Sequence, residues 1–391
     1  MKGLRINPER LQWCLRHYCL TLEKLAKRAG LKSAAVRRAS EGEQGLNMLE
    51  IRRIAKSLEL DTSFLMQEKG VSRDELRTPQ FRAAGGQPPR TTEMMLLLRR
   101  VENHREYFEG LFEDFPALRP RKVSYPKLRE DDGYAIKGRA VRRWLRLSGG
   151  EDFAALRQKV EAKGVLVFVG SGGRFGRWQA PKDRRGRDQF KGFALRHDLL
   201  PIIFVAKEKD ERNQSFTLLH ELAHLIMHQK DAIDGEQSLA SFHGASRSRR
   251  EAEANALASH VLLPESALRA IDAKALAGMA TAEIEAALRE TCDKYSVSPM
   301  VALARLRAAK LVPAAAVDRY FKWLVKASRA QAGSKEAASD PVAEVREIFG
   351  DRYVDMVLKM AAEQEITIHD AVIYLDVDLD VYNLIRGKKW H

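Results

Sequence analysis

The spacing of apolar residues changes several times along the chain, and each change predicts a different kind of element. From about Pro8 to Leu65 apolar positions recur every three or four residues, as in TLEKLAKRAG and MLEIRRIAKSLEL, which predicts short helices separated by tight turns. RTPQFRAAGGQPPRTT (Arg77 to Thr92) breaks that pattern with Pro, Gly and Arg and reads as a linker. Helical spacing returns from roughly Glu93 to Phe112 and from about Gly138 to Leu147. GVLVFVG (Gly164 to Gly170) and PIIFVA (Pro201 to Ala206) are short continuous apolar runs, predicting strands of a small sheet. The turn-rich, basic SGGRFGRWQAPKDRRGRDQFKGF between them predicts long loops. Helix signals resume at Ser215, with capping side chains at Asn213 to Ser215. KASRAQAGSKEAASD (Lys326 to Asp340) is a low-complexity linker, and Pro341 to Trp390 reads as a compact helical unit.

Composition narrows the class. A chain of 391 residues, 45% hydrophobic, suits two or three domains with proper cores. It has no apolar run long enough to span a bilayer, and MKGLRINPERLQW lacks the apolar stretch of a signal peptide, which predicts a cytoplasmic protein without a membrane partner. Cys14, Cys19 and Cys292 form no CxxC pair, which argues against a disulfide framework or a thiolate cluster. A formal charge of +14 makes nucleic acid a plausible partner.

The candidate chemistry lies in FTLLHELAHLIMH (Phe216 to His228). Histidines four apart on a helix project from one face, so His220 and His224 can reach one Zn²⁺ ion. Glu221 beside them can serve as a general base that passes a proton to a leaving amine. A His-Glu-x-x-His pattern turns up by composition in a few per cent of such chains, so its context decides. The competing reading is a pair of core histidines, but Glu221 would then be a buried charge on an apolar helix with no use. A tetrahedral ion needs another protein ligand, and SRSRREAEANALASHVLLP (Ser246 to Pro264) offers Glu251, Glu253 and His260 on a helix ended by Pro264. Spacing does not choose among the three. His228 continues the histidine face and reads as a cleft-lining or supporting residue. His243, in SLASFHGASRS, is either an oxyanion donor or an exposed loop histidine, and His260 caps or packs its helix.

HELAHLIMH followed by EAEANALASHVLLP, preceded by FKGFA and LPIIFVAKEKDERNQSFTLLHE, resembles the ImmA/IrrE family of zinc metallopeptidases. The resemblance implies a gluzincin-like endopeptidase with His220, His224 and Glu251 as zinc ligands and Glu221 as general base, another divalent metal such as Mn²⁺ being an alternative ion. Asn255 matches the family's Ala-Asn pair and is a candidate for fixing a ligand, as is Glu253. Leu257 stands where the family usually has an aromatic residue. LTLEKLAKRAGLKSAAVRRASEGEQ (Leu20 to Gln44) resembles the Cro/repressor-type (XRE) helix-turn-helix, with a turn after Gly30 and a next helix from near Ser33. Lys32, Ser33, Arg37 and Arg38 are the residues this places at DNA, although Ala34 and Ala35 lack hydrogen-bonding groups. The competing reading of that block is a protein-interaction bundle with solvated arginines.

The expected architecture is α+β and mostly helical. It comprises an XRE-type domain (1–76), a linker and helical connector (77–137), a zincin-like metallopeptidase domain with a small β-sheet (138–312), a helix and flexible linker (313–340) and a helical C-terminal domain (341–391). The expected function is cleavage of a partner protein, such as a DNA-binding repressor or a neighbouring-gene product, in a stress, mobile-element or defence response. The alternative is an XRE-family regulator or antitoxin-like protein whose peptidase domain senses or docks. A homodimer would suit symmetric DNA sites.

Overall fold

The structure is a computed structural model describing residues 4–43, 45–71, 91–115, 121–184, 186–228, 232–233, 249–276, 278–330 and 340–387. The described residues divide between two compact units, within 1–108 and within 109–391. The fold is α+β and mostly helical, as the apolar periodicity predicts. No described helix is long and apolar enough to cross a membrane.

The first unit opens with five helices: α1 (Pro8–His17), α2 (Leu22–Ala29), α3 (Ser33–Ser40), α4 (Met48–Ser57) and α5 (Thr62–Met66). Their inward faces supply Leu11, Leu25, Val36, Ile51, Ile54, Leu58 and Leu65, all buried. Asn7 caps α1 through its side-chain oxygen, and its amide donates to the carbonyls of Gln67 (2.9 Å) and Glu68 (2.8 Å), closing the bundle from its start to its end. Thr21 caps α2, which stops at Gly30 in the left-handed region (φ +65°) that glycine reaches without penalty. Then α6 (Thr92–Asp114) begins in this unit and ends in the second.

In the second unit, α7 (Tyr134–Leu145) and α8 (Phe153–Glu161) precede a sheet built from β1 (Leu166–Val169), β2 (Gly192–Leu195) and β3 (Ile202–Val205). The helix α9 (Glu211–Met227), the two-residue strand β4 (Ala232–Ile233) and α10 (Arg249–Leu262) follow. After them come α11 (Glu265–Arg269), α12 (Ala273–Leu276), α13 (Thr281–Tyr295), α14 (Pro299–Ala308), α15 (Ala314–Ala330), α16 (Pro341–Phe349), α17 (Asp351–Ala362), α18 (Ile368–Tyr374) and α19 (Leu379–Gly387). Three element bounds depart from the sequence reading. Helix α7 starts at Tyr134, because Gly138 is not a boundary: a Cβ there would stand 2.9 Å from Cβ of His260, so this glycine lets α7 pack closely on α10. Helix α9 starts at Glu211, capped by Asp210, whose carboxylate accepts from the Arg212 amide at 3.0 Å, rather than at Asn213 to Ser215. Helix α15 runs to Ala330, through the first residues of the segment read as a linker.

The sheet order is β1-β3-β2-β4, with β1 parallel to β3 and β2 antiparallel to both β3 and β4. Register sorts its side chains onto two faces. Phe168 pairs with Phe204, and Phe204 with Phe193, so these three aromatics share one face. There they meet Phe190, Trp178 and, from the C-terminal helices, Phe349. Val167, Val169, Ala194, Ile203 and Val205 alternate onto the other face, where Leu218, Leu219 and Leu222 of α9 and Ala254, Leu257 and Ala258 of α10 join them in one core. Each fully buried Leu or Val here contributes roughly 1.5–3 kcal/mol. With both faces covered, the strands read as unbroken apolar runs instead of alternating ones.

Arg157 joins three of these layers from inside. It pairs with Glu161 at 2.7 Å, donates to the carbonyl of Val167 in β1, and donates to that of Ile348 in α16 at 3.0 Å. Gly350, at φ +83°, passes so close that a Cβ would stand 2.5 Å from a Glu161 oxygen, so only glycine fits where α16 gives way to α17.

Candidate metal centre

Helix α9 is buried almost all round from Gln214 to Leu225, which makes it the central helix of the unit rather than a surface one. Its polar side chains are therefore the exceptions that require an account. His220 and His224 lie one turn apart on one face, with ring centroids 4.8 Å apart and Nε2 atoms separated by 3.1 Å. Glu251, in the first turn of α10, reaches across so that one carboxylate oxygen stands 3.2 Å from Nε2 of His220 and the other 3.5 Å from Nε2 of His224. Exposure is 5% for His220, 2% for His224, 3% for Glu251 and 1% for Glu221, so the cluster is withdrawn from bulk water.

The three groups form a set whose donor atoms all lie within 4.8 Å of one another. Around a tetrahedral ion with bonds of about 2.0–2.2 Å, neighbouring donors stand roughly 3.3 Å apart; the two Nε2 atoms here are 3.1 Å apart, and a different Glu251 oxygen faces each histidine at 3.2 and 3.5 Å. One proton on each Nε2 could satisfy two of the three edges at most and would then set two N–H groups against each other. A cation satisfies all three. The donor set of two imidazoles and a carboxylate therefore fits a divalent ion of borderline softness such as zinc.

Glu221 projects beside the pair, towards the sheet. A Cβ built on Gly192 at the start of β2 would stand 2.7 Å from Cγ2 of Thr217, 2.8 Å from Oε1 of Glu221 and 2.9 Å from the carbonyl oxygen of Phe204. The strand can approach α9 only because this residue has no side chain. Sequence reasoning missed both Gly192 and the strand it begins, although a glycine set in the apolar stretch FKGFAL was a signal of close backbone approach. Gly192→Ala is expected to push the Glu221 carboxylate aside, lowering peptidase turnover while leaving bound metal unchanged. Metal analysis beside a turnover assay checks this, and turnover equal to that of the unsubstituted chain would refute it.

The remaining sequence candidates separate. His228, at the C-cap of α9, contacts His224 and, at 3.2 Å, Glu253, which also pairs with Arg249. Burial and the neighbouring His224 hold His228 below the usual imidazole range, against the pull of Glu253. For Glu253 burial works upward, but its bonds to Arg249 and His228 prevail and hold the carboxyl below its usual range. Asn255 is buried one turn along α10 from Glu251, on the same face. His260 lies nine residues from Glu251, about 13 Å along the helix, and is not brought to the cluster. Its Nδ1 donates to the Ala256 carbonyl at 2.7 Å and its Nε2 faces Arg305 at 2.7 Å, so it packs α10 against α14. Burial first, and then Arg305, lowers its pKa. His243 lies outside the described residues.

In the first unit, α2 and α3 are joined by the turn through Gly30 and Leu31 that the helix-turn-helix reading requires. Lys32 is the N-cap of α3 and Ser33 its first residue, while Lys32, Arg37 and Arg38 are exposed. Arg37 pairs with Glu23 of α2 at 3.0 Å.

A buried pair of imidazoles with a carboxylate from the next helix, and a further glutamate beside the first histidine, is a donor set that could hold one divalent ion. Residues 181–307 match the model of the M78 peptidase family described as the IrrE N-terminal-like domain, so this part of the chain is similar to that family. The matched stretch takes in β2, β3, α9 and α10, and with them His220, Glu221, His224 and Glu251. No curated protein and no solved structure matches the chain.

Proposed function

We propose that the chain is a zinc-dependent endopeptidase with a DNA-binding N-terminal domain, and that it cleaves a partner protein such as a transcriptional repressor. The observation that carries the reading is the convergence of His220, His224 and Glu251 on one buried point with Glu221 beside it. His220, His224 and Glu251 would hold the ion. Zinc, when bound, supplies Lewis-acid polarisation of the scissile carbonyl and acidifies the attacking water. Glu221 takes the proton from that water and delivers it to the departing amine nitrogen, a transfer that needs one carboxylate held in one place. Gly192 of β2 closes in on that carboxylate from the strand side. Burial raises the strength of every charge interaction at the site by excluding water.

Three features support DNA binding by the first unit: the α2-turn-α3 geometry, the exposed Lys32, Arg37 and Arg38, and the net charge of +14. Tethering the peptidase to DNA raises its effective concentration near a DNA-bound substrate, which is why a repressor or a neighbouring-gene product is the partner this arrangement favours. A homodimer would match a symmetric operator.

The test is metal analysis of the chain purified without chelator, combined with incubation against the proteins encoded by neighbouring genes. About one zinc per chain and cleavage of one such protein are expected, in line with a three-ligand site. A chain free of metal refutes the peptidase reading. A metal-loaded chain that binds DNA but cuts nothing favours a regulator whose peptidase domain docks.

A further inference from the structure

His224 is one link in a longer polar chain that runs away from the metal cluster. Its Nδ1 lies 2.8 Å from Nδ1 of His228, Nε2 of His228 lies 3.2 Å from Oε2 of Glu253, and Oε1 of Glu253 accepts from Nε of Arg249 at 2.7 Å. At His228 the backbone has already left the helix (φ −114°, ψ 129°), yet its ring stays 4.9 Å from that of His224, centroid to centroid. Two residues apart on α10, Glu251 and Glu253 meet different histidines: Glu251 meets His220 and His224, and Glu253 meets His228.

The proton arrangement follows from these contacts. A carboxylate only accepts, so His228 must present Nε2–H to Glu253. Its Nδ1 then carries a lone pair, and the 2.8 Å contact requires the proton to sit on Nδ1 of His224. That choice leaves Nε2 of His224 with its lone pair aimed at the point shared with His220 and Glu251. The opposite arrangement would put a proton on Nε2 of His224, inside the cluster, and face a bare nitrogen of His228 against the Glu253 carboxylate.

We propose that His228 and Glu253 are positioning residues that lock the ring and tautomer of His224, so that the chain is prepared to bind its cation before the cation arrives. The inference rests on the metal-site reading above and extends it to two residues that touch neither ion nor substrate. Glu253 acts through His228 and Arg249 steadies Glu253, an arrangement that lets α10 set both the third donor and the orientation of the second. The loss expected on breaking such a support is about ten- to a hundredfold in metal affinity.

The experiment measures the affinity of the full chain for Zn²⁺ by competition with a chromophoric chelator. The variants are His228→Phe, His228→Gln, Glu253→Gln and the double variant His228→Phe/Glu253→Gln. His228→Phe keeps ring volume but can neither accept nor donate, and is expected to bind about ten- to a hundredfold more weakly. The amide of His228→Gln can accept from His224 and donate to Glu253, so affinity is expected to return most of the way. Glu253→Gln is expected to weaken binding in the otherwise unchanged chain and to have no further effect in the His228→Phe background, because its influence passes through that residue. Full affinity in His228→Phe, or an equal effect of Glu253→Gln in both backgrounds, overturns the relay. If His228→Phe does not fold, Glu253→Gln decides: affinity equal to that of the unsubstituted chain overturns the proposal. Failure of the unsubstituted chain itself to bind Zn²⁺ overturns the metal-site reading, which is a separate result.

Discussion

Glu221→Gln is expected to abolish peptide hydrolysis almost completely while the chain keeps its metal. The carboxamide matches the carboxylate in size, so it still fits beside Gly192, but it cannot take a proton at neutral pH. Loss of a general acid–base group costs typically a hundredfold to ten-thousandfold in turnover, which is the decrease expected here. Because Glu221 is not one of the three converging donors, zinc content should stay the same. The variant should also melt at the same temperature or higher, since replacing a carboxylate that is only 1% exposed removes a desolvation cost. Turnover on a library of quenched fluorescent peptides, followed by metal analysis and a melting curve, reads all three. Undiminished turnover would remove Glu221 from the mechanism and with it the peptidase chemistry proposed.

Glu251→Ala is expected to lose both metal and activity, and to lower the melting temperature most when zinc is present. Two imidazoles remain, but the third donor comes from a different helix, so the substitution also unties α9 from α10 at that point. A ligand present at a thousand times its dissociation constant stabilises the folded chain by about 4 kcal/mol, and that increment is what disappears. Melting curves with and without added zinc separate the two contributions. Without zinc the drop should be smaller, because only the contacts of Glu251 with His220 and His224 are lost. An unchanged zinc-dependent increment would exclude Glu251 as a donor. Glu253→Ala, in the same assay, should keep part of the increment, since a ten- to hundredfold weaker affinity removes about 1.4–2.7 kcal/mol of it.

Much of the fold was legible because helical period survives in a single sequence. Helices α2, α4 and α6 appear close to where helical spacing places them, and the two apolar runs that predict strands are β1 and β3. What escaped is instructive in physical terms. Strand β2 is four residues long, begins with glycine and sits behind a basic, turn-rich segment, so neither propensity nor period marks it. Gly138 looked like a helix boundary because glycine weakens isolated helices, whereas in the folded chain the missing side chain is what allows α7 to approach α10. Glycine's two meanings, a break or a close contact, differ only in what lies opposite.

The candidate site divides along the same line. The pair His220 and His224 with Glu221 between them was readable because their geometry is local: one helix, one turn, one face. The choice among Glu251, Glu253 and His260 was not readable from spacing: the family resemblance implied Glu251, but the physical reason lies in how α10 crosses α9, and spacing within α10 carries no record of that. The crossing brings Glu251 to the two histidines, gives Glu253 to His228, and leaves His260 to Arg305 on α14. Likewise, nothing in the residues from Pro341 onward says that Phe349 will cover the aromatic face of the sheet, since that contact joins segments far apart in the chain. By itself the sequence determined most helices, strands β1 and β3, and the placing of His220, Glu221 and His224 together on one helix, all set by interactions within a few residues. Only the tertiary structure showed Glu251 meeting the two histidines, Gly192 passing close to Glu221 and Glu253 meeting His228, because each is a contact between elements whose meeting is set by packing.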